Sequence, residues 1–180
     1  MGEYELLRTE ILEDCVGIRL YETGMYAAVG AILTFAINST YYFACMIPYL
    51  VIISIFFIVI SMRRANCKIG TYLYVFHEGG RYNWERRHVK FDKKEGWLKR
   101  GTYAAYYLLS VACSVFTILK LYEDSLHRYT NEYKSLACLV IVLFTVTTWI
   151  VFFTYTRMFY KEKDEMLKNW MEIKKSGTKG

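Results

Sequence analysis

Hydroxyl side chains recur at helical spacing in two of the most apolar stretches of the chain. Ser110, Ser114 and Thr117 are spaced i, i+4 and i+7, and Thr145 and Thr148 lie about one turn apart. In a membrane, small hydroxyl residues allow helices to approach closely and to bond across their interface. In an oligomer, the same groups can line a narrow polar pore. These five residues are therefore the candidate pore-lining residues, with ordinary helix packing as the alternative.

The histidines and arginines are the other residues that could do chemistry. His77, His88 and His127 have no second ligand at a metal-like spacing, so we expect no metal site and no cofactor. The spacing of Arg81 and His88 resembles the Arg-x4-6-His motif of HEPN ribonucleases, in which the pair acts on a phosphodiester. That resemblance implies a membrane-bound ribonuclease, and the alternative is that both side chains face lipid headgroups. Because no phosphate loop, nucleophile elbow or carboxylate pair is present within the predicted spans, we expect a protein that is not an enzyme and has no catalytic residues.

Four charge-free stretches define the elements that hold the hydroxyl residues. No Asp, Glu, Lys or Arg occurs in the 40 residues from 23 to 62. As helix that stretch is roughly 60 Å long, twice a ~30 Å hydrocarbon core. The residues Asn38-Ser39-Thr40 favour a tight turn and divide it into two spans. Residues 101–119 and 135–156 are each long enough for one further crossing.

We therefore predict an all-α protein, a four-transmembrane-helix bundle with helical cytoplasmic extensions, as a single integral membrane domain of residues 1–180. The four predicted spans cover about residues 20–38, 42–62, 101–120 and 135–156. The predicted cytoplasmic loop is residues 63–100, and the predicted cytoplasmic tail is residues 157–180.

The distribution of Lys and Arg predicts the orientation. Residues 63–100 hold 11 of them and the tail holds seven, whereas residues 120–134 hold three and the Asn38 turn none. Since positive loops stay in the cytoplasm, both termini and the middle loop should be cytoplasmic. The net charge of +6 then lies beside anionic headgroups, so we expect the lipid bilayer, and not nucleic acid, as its partner. The predicted cytoplasmic basic patch consists of Arg63, Arg64, Arg81, Arg86, Arg87, Lys93 and Lys94.

The cysteines do not form a disulfide framework. Cys45, Cys113 and Cys138 lie inside spans as small apolar residues, and Cys15 and Cys67 fall on the cytoplasmic side, where disulfides are rare. The chain has no C-x-x-C motif, so neither a zinc site nor a redox pair is indicated.

Three amphipathic extensions continue the spans into the cytoplasm. The N-terminal segment should run into the first span, the second span should continue to Phe76 before Gly79-Gly80 ends it, and the fourth should reach Trp170. Since none can hide an apolar face alone, they should pack together. Pro48 lies inside the second predicted span, and residues 81–97 are predicted to be an interfacial loop or short helix.

Several segments resemble a recurring type of small bacterial inner-membrane protein without assigned activity. The segments are Tyr4-Glu5-Leu6-Leu7-Arg8-Thr9-Glu10-Ile11, Lys68-Ile69-Gly70-Thr71-Tyr72-Leu73-Tyr74-Val75-Phe76 and Asn83-Trp84-Glu85, together with the first hairpin. In layout the chain is also similar to four-span membrane subunits of anti-phage defence systems. This resemblance implies a multi-pass protein of the bacterial inner (plasma) membrane and a role as a membrane-perturbing or membrane-sensing effector.

The leading functional hypothesis is an oligomeric, channel-like or membrane-disrupting effector controlled through its basic cytoplasmic surface. It requires self-association into a homo-oligomer and a soluble cytoplasmic protein as partner. The alternative is a passive membrane anchor or scaffold for such a partner. The membrane-bound HEPN-like ribonuclease, with Arg81 and His88, is the third hypothesis.

Overall fold

The computed structural model describes residues 2–39, 41–76, 96–124 and 131–177, and nearly all of them are helical. The α-helices are α1 (Glu3–Asn38), α2 (Pro48–Phe76), α3 (Gly96–Asp124) and α4 (Asn131–Gly177), and a 3-10 turn, Tyr42–Met46, precedes α2. Each of these four described helices is long and apolar enough to cross a membrane. The prediction of an all-α fold with four candidate spans is confirmed.

Three of the helices continue beyond the predicted spans. α1 has 36 residues and α4 has 47, which correspond to roughly 54 and 70 Å of helix against a ~30 Å hydrocarbon core. α2 is helical as far as Phe76. The predicted continuations of the first, second and fourth spans are therefore confirmed within the described residues. Gly79-Gly80, predicted to end α2, lies outside them.

The second candidate span, Tyr42–Phe76, begins where the sequence predicts it and contains Pro48, and its first turn is not α-helical. Pro48 is the first residue of α2 and does not lie inside a longer α-helix. Proline has no N–H to donate, and the first turn of an α-helix is where that donor is not needed. The predicted span therefore begins with a 3-10 turn, in which the Ile47 N–H donates to the Ala44 carbonyl at 3.2 Å.

The turn between the first two spans lies where the sequence predicts it. The Asn38 side-chain amide donates to the Thr34 carbonyl at 3.1 Å, and the Ser39 N–H donates to the Ala36 carbonyl at 3.1 Å. The Ser39 hydroxyl oxygen then accepts the Tyr41 N–H at 3.2 Å. Asn38 and Ser39 thus bond the local backbone, as turn residues do, and Thr40 lies outside the described residues.

α3 begins before the span that is predicted within it. α3 begins at Gly96, before the predicted span boundary at residue 101, so Gly96 and Trp97 belong to this helix. The earlier part of the predicted interfacial segment, residues 81–95, lies outside the described residues.

The chain divides into two compact units, each made of segments far apart in sequence. Unit 1 comprises residues 1–20, 59–101 and 154–180, and unit 2 comprises residues 21–58 and 102–153.

Within unit 2, α1 and α3 run parallel to each other. The Tyr106 hydroxyl donates to Glu22 Oε1 at 3.5 Å, and Lys120 Nζ donates to the Ala36 carbonyl at 2.5 Å. Both pairs join residues 84 positions apart in sequence. A constant offset along two helices means that the helices point in the same direction.

The other helix pairs of unit 2 complete an alternating arrangement. α2 runs parallel to α4, since Tyr49 bonds to Thr145 and, two turns further along both helices, Phe56 packs on Phe152. α2 is antiparallel to α3, because Tyr49 contacts Ser114 whereas the later Phe56 contacts the earlier Tyr106. Successive helices therefore alternate in direction, as four consecutive crossings require.

Unit 1 brings the three helical extensions into contact. The Tyr72 hydroxyl of α2 donates to Glu3 Oε1 of α1 at 2.9 Å. The Trp170 ring of α4 packs edge-on against Tyr72, with centroids 5.2 Å apart, and Lys174 Nζ donates to the Val75 carbonyl. The predicted packing of the extensions against one another is confirmed.

α1 and α2 approach closely within unit 1. A Cβ added at Gly17 would lie 2.9 Å from Met62 Cε, closer than real Cβ contacts allow. The Met62 methyl ends a flexible side chain, so a larger residue at position 17 would require that side chain to shift.

Candidate functional site

Three hydroxyl groups from three helices meet inside unit 2. Tyr49 comes from α2, Ser114 from α3 and Thr145 from α4. The Tyr49 hydroxyl oxygen lies 2.5 Å from Ser114 Oγ and 3.0 Å from Thr145 Oγ1, and the latter two atoms are 2.6 Å apart. Tyr49 and Ser114 are buried. We call these three side chains the hydroxyl cluster.

Ser110 connects the hydroxyl cluster to a tryptophan on α4. Its carbonyl oxygen accepts the Tyr49 hydroxyl at 2.6 Å. Its own hydroxyl accepts Trp149 Nε1–H at 2.8 Å and donates to the Tyr107 carbonyl at 2.8 Å. Ser110 is fully buried, so both of its oxygen atoms are used inside the chain.

Each hydroxyl proton of the cluster has an acceptor. Ser114 Oγ also lies 3.0 Å from the Ser110 carbonyl, and Thr145 Oγ1 lies 2.8 Å from the Ile141 carbonyl. These are the back-bonds that serine and threonine make within a helix. The cluster has three hydroxyl protons for these contacts, so each proton goes either to a neighbouring hydroxyl oxygen or to a carbonyl, and every proton has an acceptor without water.

An aromatic layer packs beside the hydroxyl cluster. Phe56 lies on α2 two turns after Tyr49, and its ring centroid is 4.1 Å from that of Phe152 and 5.4 Å from that of Tyr106. All three rings are buried. Tilted and edge-on pairs of this kind add to the burial energy, so the layer fixes the three helices that carry the cluster.

The structure brings together only some of the candidate pore-lining residues. Ser110, Ser114 and Thr145 join one network, and Ser110 and Ser114 are buried. Thr117 and Thr148 are also buried, and their hydroxyls donate to the Cys113 and Phe144 carbonyls of their own helices. Within one chain these hydroxyl groups are engaged in contacts inside the bundle, as we expect if they serve helix packing. Their assignment to a pore stays a prediction.

Sequence reasoning did not include Tyr49 or Trp149 in the site. Both lie in stretches dominated by apolar residues, where an aromatic residue is taken to contribute apolar packing volume. Each nevertheless has one polar atom that must find a partner when it is buried. That requirement is the signal that could have identified them.

A lysine of α3 stabilises the end of α1 in unit 2. Lys120 Nζ donates to the Ala36 carbonyl and to the Ile37 carbonyl, both at 2.5 Å. The last carbonyls of a helix have no partner within it and carry partial negative charge. α1 has no basic residue in its last turn, so Lys120 supplies the positive charge from another helix.

The predicted basic patch is only partly described. Arg64 is mostly exposed, and its Nε atom forms an ion pair with Glu162 Oε2 at 2.8 Å. Arg63 is half-buried on the same helix. The remaining members lie outside the described residues, as does His88 of the proposed ribonuclease pair. They are Arg81, Arg86, Arg87, Lys93 and Lys94.

The described residues contain no group of His, Cys, Asp and Glu side chains that could hold a metal ion. The five cysteines, all within the described part of the chain, are free thiols. Cys45 and Cys113 are fully buried.

Comparison with known proteins adds no family to these observations. No protein-family model, curated protein or solved structure matches the chain. The resemblance to small bacterial inner-membrane proteins stays a prediction.

Proposed function

We propose that this chain is a multi-pass protein of the bacterial inner membrane that anchors a soluble protein at the bilayer. In this proposal the four helices cross the membrane, and the two termini and residues 63–100 lie in the cytoplasm. The helical extensions that form unit 1 are the surface that the soluble partner recognises.

The exposed surface of α4 supports placement in a bilayer. Large apolar side chains are exposed nearly all around this helix between residues 136 and 153. Patches of that size are costly in water, whereas they are favourable against lipid chains. The exposed residues are Leu136, Leu139, Val140, Val142, Leu143, Phe144, Val146, Ile150 and Phe153.

The grouping of segments supports the proposed topology. Unit 1 consists of the N-terminal segment, the segment after the second span and the segment after the fourth. These are the segments that the Lys and Arg count assigns to the cytoplasm. In unit 2 the Tyr42 and Tyr133 hydroxyls lie 3.0 Å apart, which joins the two segments assigned to the opposite side.

The closed hydroxyl cluster is the observation that favours an anchor over a pore. A polar pore needs hydroxyl groups that face water. Here Tyr49, Ser114 and Thr145 bond to one another and to backbone carbonyls of their own chain. These hydrogen bonds stabilise the contact between the three helices. A bundle held together in this way suits an anchor.

Unit 1 offers exposed apolar residues among charges, which suit recognition of a protein. Met171 and Ile173 are exposed near the end of α4, and Leu6 and Leu12 are exposed on α1. Apolar residues with a charged surround are the usual composition of a protein interface.

The channel-like effector is the alternative, and one observation favours it. The broad apolar surface of α4 is available to a second copy as well as to lipid, and self-association is what an effector of this class requires. Control through the basic patch and a role in anti-phage defence belong to this alternative. The double substitution Arg81→Ala with His88→Ala tests the ribonuclease hypothesis. It should abolish cleavage of RNA only if those residues are catalytic.

The experiment that tests the anchor combines two measurements on the full chain. Purified protein in vesicles should not increase the flux of ions above that of empty vesicles. In cells, a proximity-labelling enzyme fused after Gly180 should label a specific soluble protein. The variant Ile173→Glu should lose that labelling while it remains in the membrane, and Leu139→Phe, a change outside unit 1, should keep it.

Either measurement can contradict the proposal. Ion flux from the reconstituted protein would support the channel-like effector. If the fusion labels the same proteins as a fusion to an unrelated four-span protein, the anchor proposal is contradicted as well.

A further inference from the structure

The exposed side of α1 differs in composition from the exposed side of α4. Among the four described candidate spans, α1 is the least buried and also the least apolar. A span that lipid surrounds should instead be rich in large apolar side chains, as α4 is. The composition of α1 therefore favours a cover of protein over a cover of lipid on its exposed side.

In unit 1 the exposed side of α1 carries a row of large apolar residues. Leu12, Val16 and Leu20 recur every four residues and are 60, 65 and 74% exposed. We call these three side chains the apolar row. Arg8 and Glu13 are exposed on opposite edges of it. The apolar row thus has one basic edge and one acidic edge.

In unit 2 the exposed side of α1 carries small residues. A Cβ added at Gly30 would meet no atom of the described residues within 4 Å, so no contact among them requires a glycine there. Glycine disfavours a helix, whereas in a membrane it permits a second helix to approach closely. The exposed small residues on this side of the helix are Thr23, Ala27, Gly30, Ala31 and Thr34.

Two parallel copies of α1 have complementary charges. A two-fold axis along the helices brings the apolar row of each copy against the same row of the other. It also brings the basic edge of each helix, with Arg8 and Arg19, against the acidic edge of the other, with Glu13. An antiparallel pair would bring like charges together. Because a membrane orients all copies alike, the parallel pair is the one that this protein can form.

We propose that α1 pairs in parallel with α1 of a second copy of this chain. The two apolar rows then pack on each other, and Gly30 allows the two helices to approach within the span. The inference rests on the membrane placement under the proposed function, and it adds the interface, the orientation and the identity of the occupant. Leu12 is covered in such a dimer, whereas Met171 and Ile173 of α4 remain exposed for the soluble protein.

Counting of fluorescent labels tests the pairing in vesicles that hold few copies each. The full chain, labelled after Gly180, should bleach in two steps. Gly30→Leu should bleach in one step, because the added side chain occupies the space that the second helix needs. Its unfolding temperature should be equal or higher, since leucine favours a helix more than glycine does. Gly70→Leu is the matched control, because Gly70 of α2 also faces open space, and it should keep two steps.

A charge exchange tests the parallel orientation. Glu13→Arg alone makes both edges of the apolar row basic, so it should shift the chain to one-step bleaching. Adding Arg8→Glu and Arg19→Glu exchanges the two edges and should restore two steps. Two steps in Glu13→Arg alone would show that the edges do not meet, and the parallel pairing would be wrong. Failure of the full exchange to restore two steps would contradict it as well.

The remaining outcomes separate the dimer from the membrane placement. One-step bleaching of the unmodified chain would overturn the dimer and leave the exposed side of α1 to the soluble protein. Two steps in Gly30→Leu would place the contact on another surface, such as that of α4, and would also overturn the proposal. Release of the chain from vesicles by alkaline washing would contradict the membrane placement itself, whatever the number of copies.

Discussion

The hydroxyl oxygen of Tyr49 lies 2.5 Å from that of Ser114, and both side chains are buried. These residues belong to α2 and α3, and Thr145 of α4 completes the cluster. In hydrocarbon a polar group that lacks a partner is costly, so polar groups on facing helices specify which faces meet. The cluster therefore helps to set the register of the three helices.

Tyr49→Phe should lower the stability of the bundle by about 0.6 to 1.7 kcal/mol, the average and the largest value measured for hydrogen bonds between membrane helices. The loss stays moderate because Ser114 and Thr145 keep the Ser110 and Ile141 carbonyls as acceptors. Reversible unfolding in mixed micelles measures the change. Tyr41→Phe is the matched control, since Tyr41 is exposed and its ring contact with Phe43 survives the substitution.

A double-mutant cycle of Tyr49→Phe with Ser114→Ala isolates the bond between the two hydroxyls. Contacting residues in one network should give a coupling free energy that differs measurably from zero. Additive losses would mean that each hydroxyl is stabilised by its own backbone acceptor alone.

Leucine substitutions in the hydroxyl stripe, by which we mean Ser110, Ser114 and Thr117 of α3, distinguish the anchor from the pore. If the stripe packs helices, Ser110→Leu, Ser114→Leu and Thr117→Leu should each lower the free energy of unfolding by about 1–3 kcal/mol, because added volume strains a close-packed interface. The yield of folded protein should fall as well. If the stripe lines a pore, the same changes should reduce membrane depolarisation and leave folding and oligomer size intact. Thr147→Leu is the control, because Thr147 is exposed and bonds only to its own helix.

Lys120→Met should loosen the end of α1. The ammonium group bonds the Ala36 and Ile37 carbonyls, and a cation at a partly buried helix C-terminus contributes up to ~2 kcal/mol. We expect faster hydrogen–deuterium exchange of the amides in residues 30–39 and a lower unfolding temperature. Lys134→Met removes a charge from the same predicted loop, and Lys134 has no hydrogen bond or ion pair to a described residue. Equal effects of the two substitutions would show that loop charge, and not capping, is responsible.

Charge exclusion predicted the helices well because it depends only on length and composition. The 40 residues without charge, with a turn at Asn38, predicted α1 and α2, and the continuation of α4 past residue 156 followed from its apolar periodicity. Charge exclusion could not predict that Pro48 is the first residue of α2. A proline inside an apolar run marks either a kink or a helix start, and the 3-10 turn before it is a property of the backbone.

The hydroxyl cluster was predicted in part, for a physical reason. The spacing of Ser110 and Ser114 shows that they share one helix face, whereas the partner of that face depends on the register between helices. Nothing in the spacing of α2 relates Tyr49 to Ser114, 65 residues away. Lys120 was likewise treated as the boundary of a span, since its two acceptors are main-chain atoms and carry no sequence signal.

Reporter fusions test the proposed topology, which combines the alternating helices of unit 2 with the Lys and Arg asymmetry of the loops. Fusions at Asn38 and Ser125 should report the periplasmic side, and fusions at Asp92 and Gly180 the cytoplasmic side. A cytoplasmic signal at Ser125 would contradict four crossings. Opposite signals at all four positions would preserve the crossings and invert the orientation. In that case the extensions of unit 1 would face the periplasm, and a soluble cytoplasmic partner could not reach them.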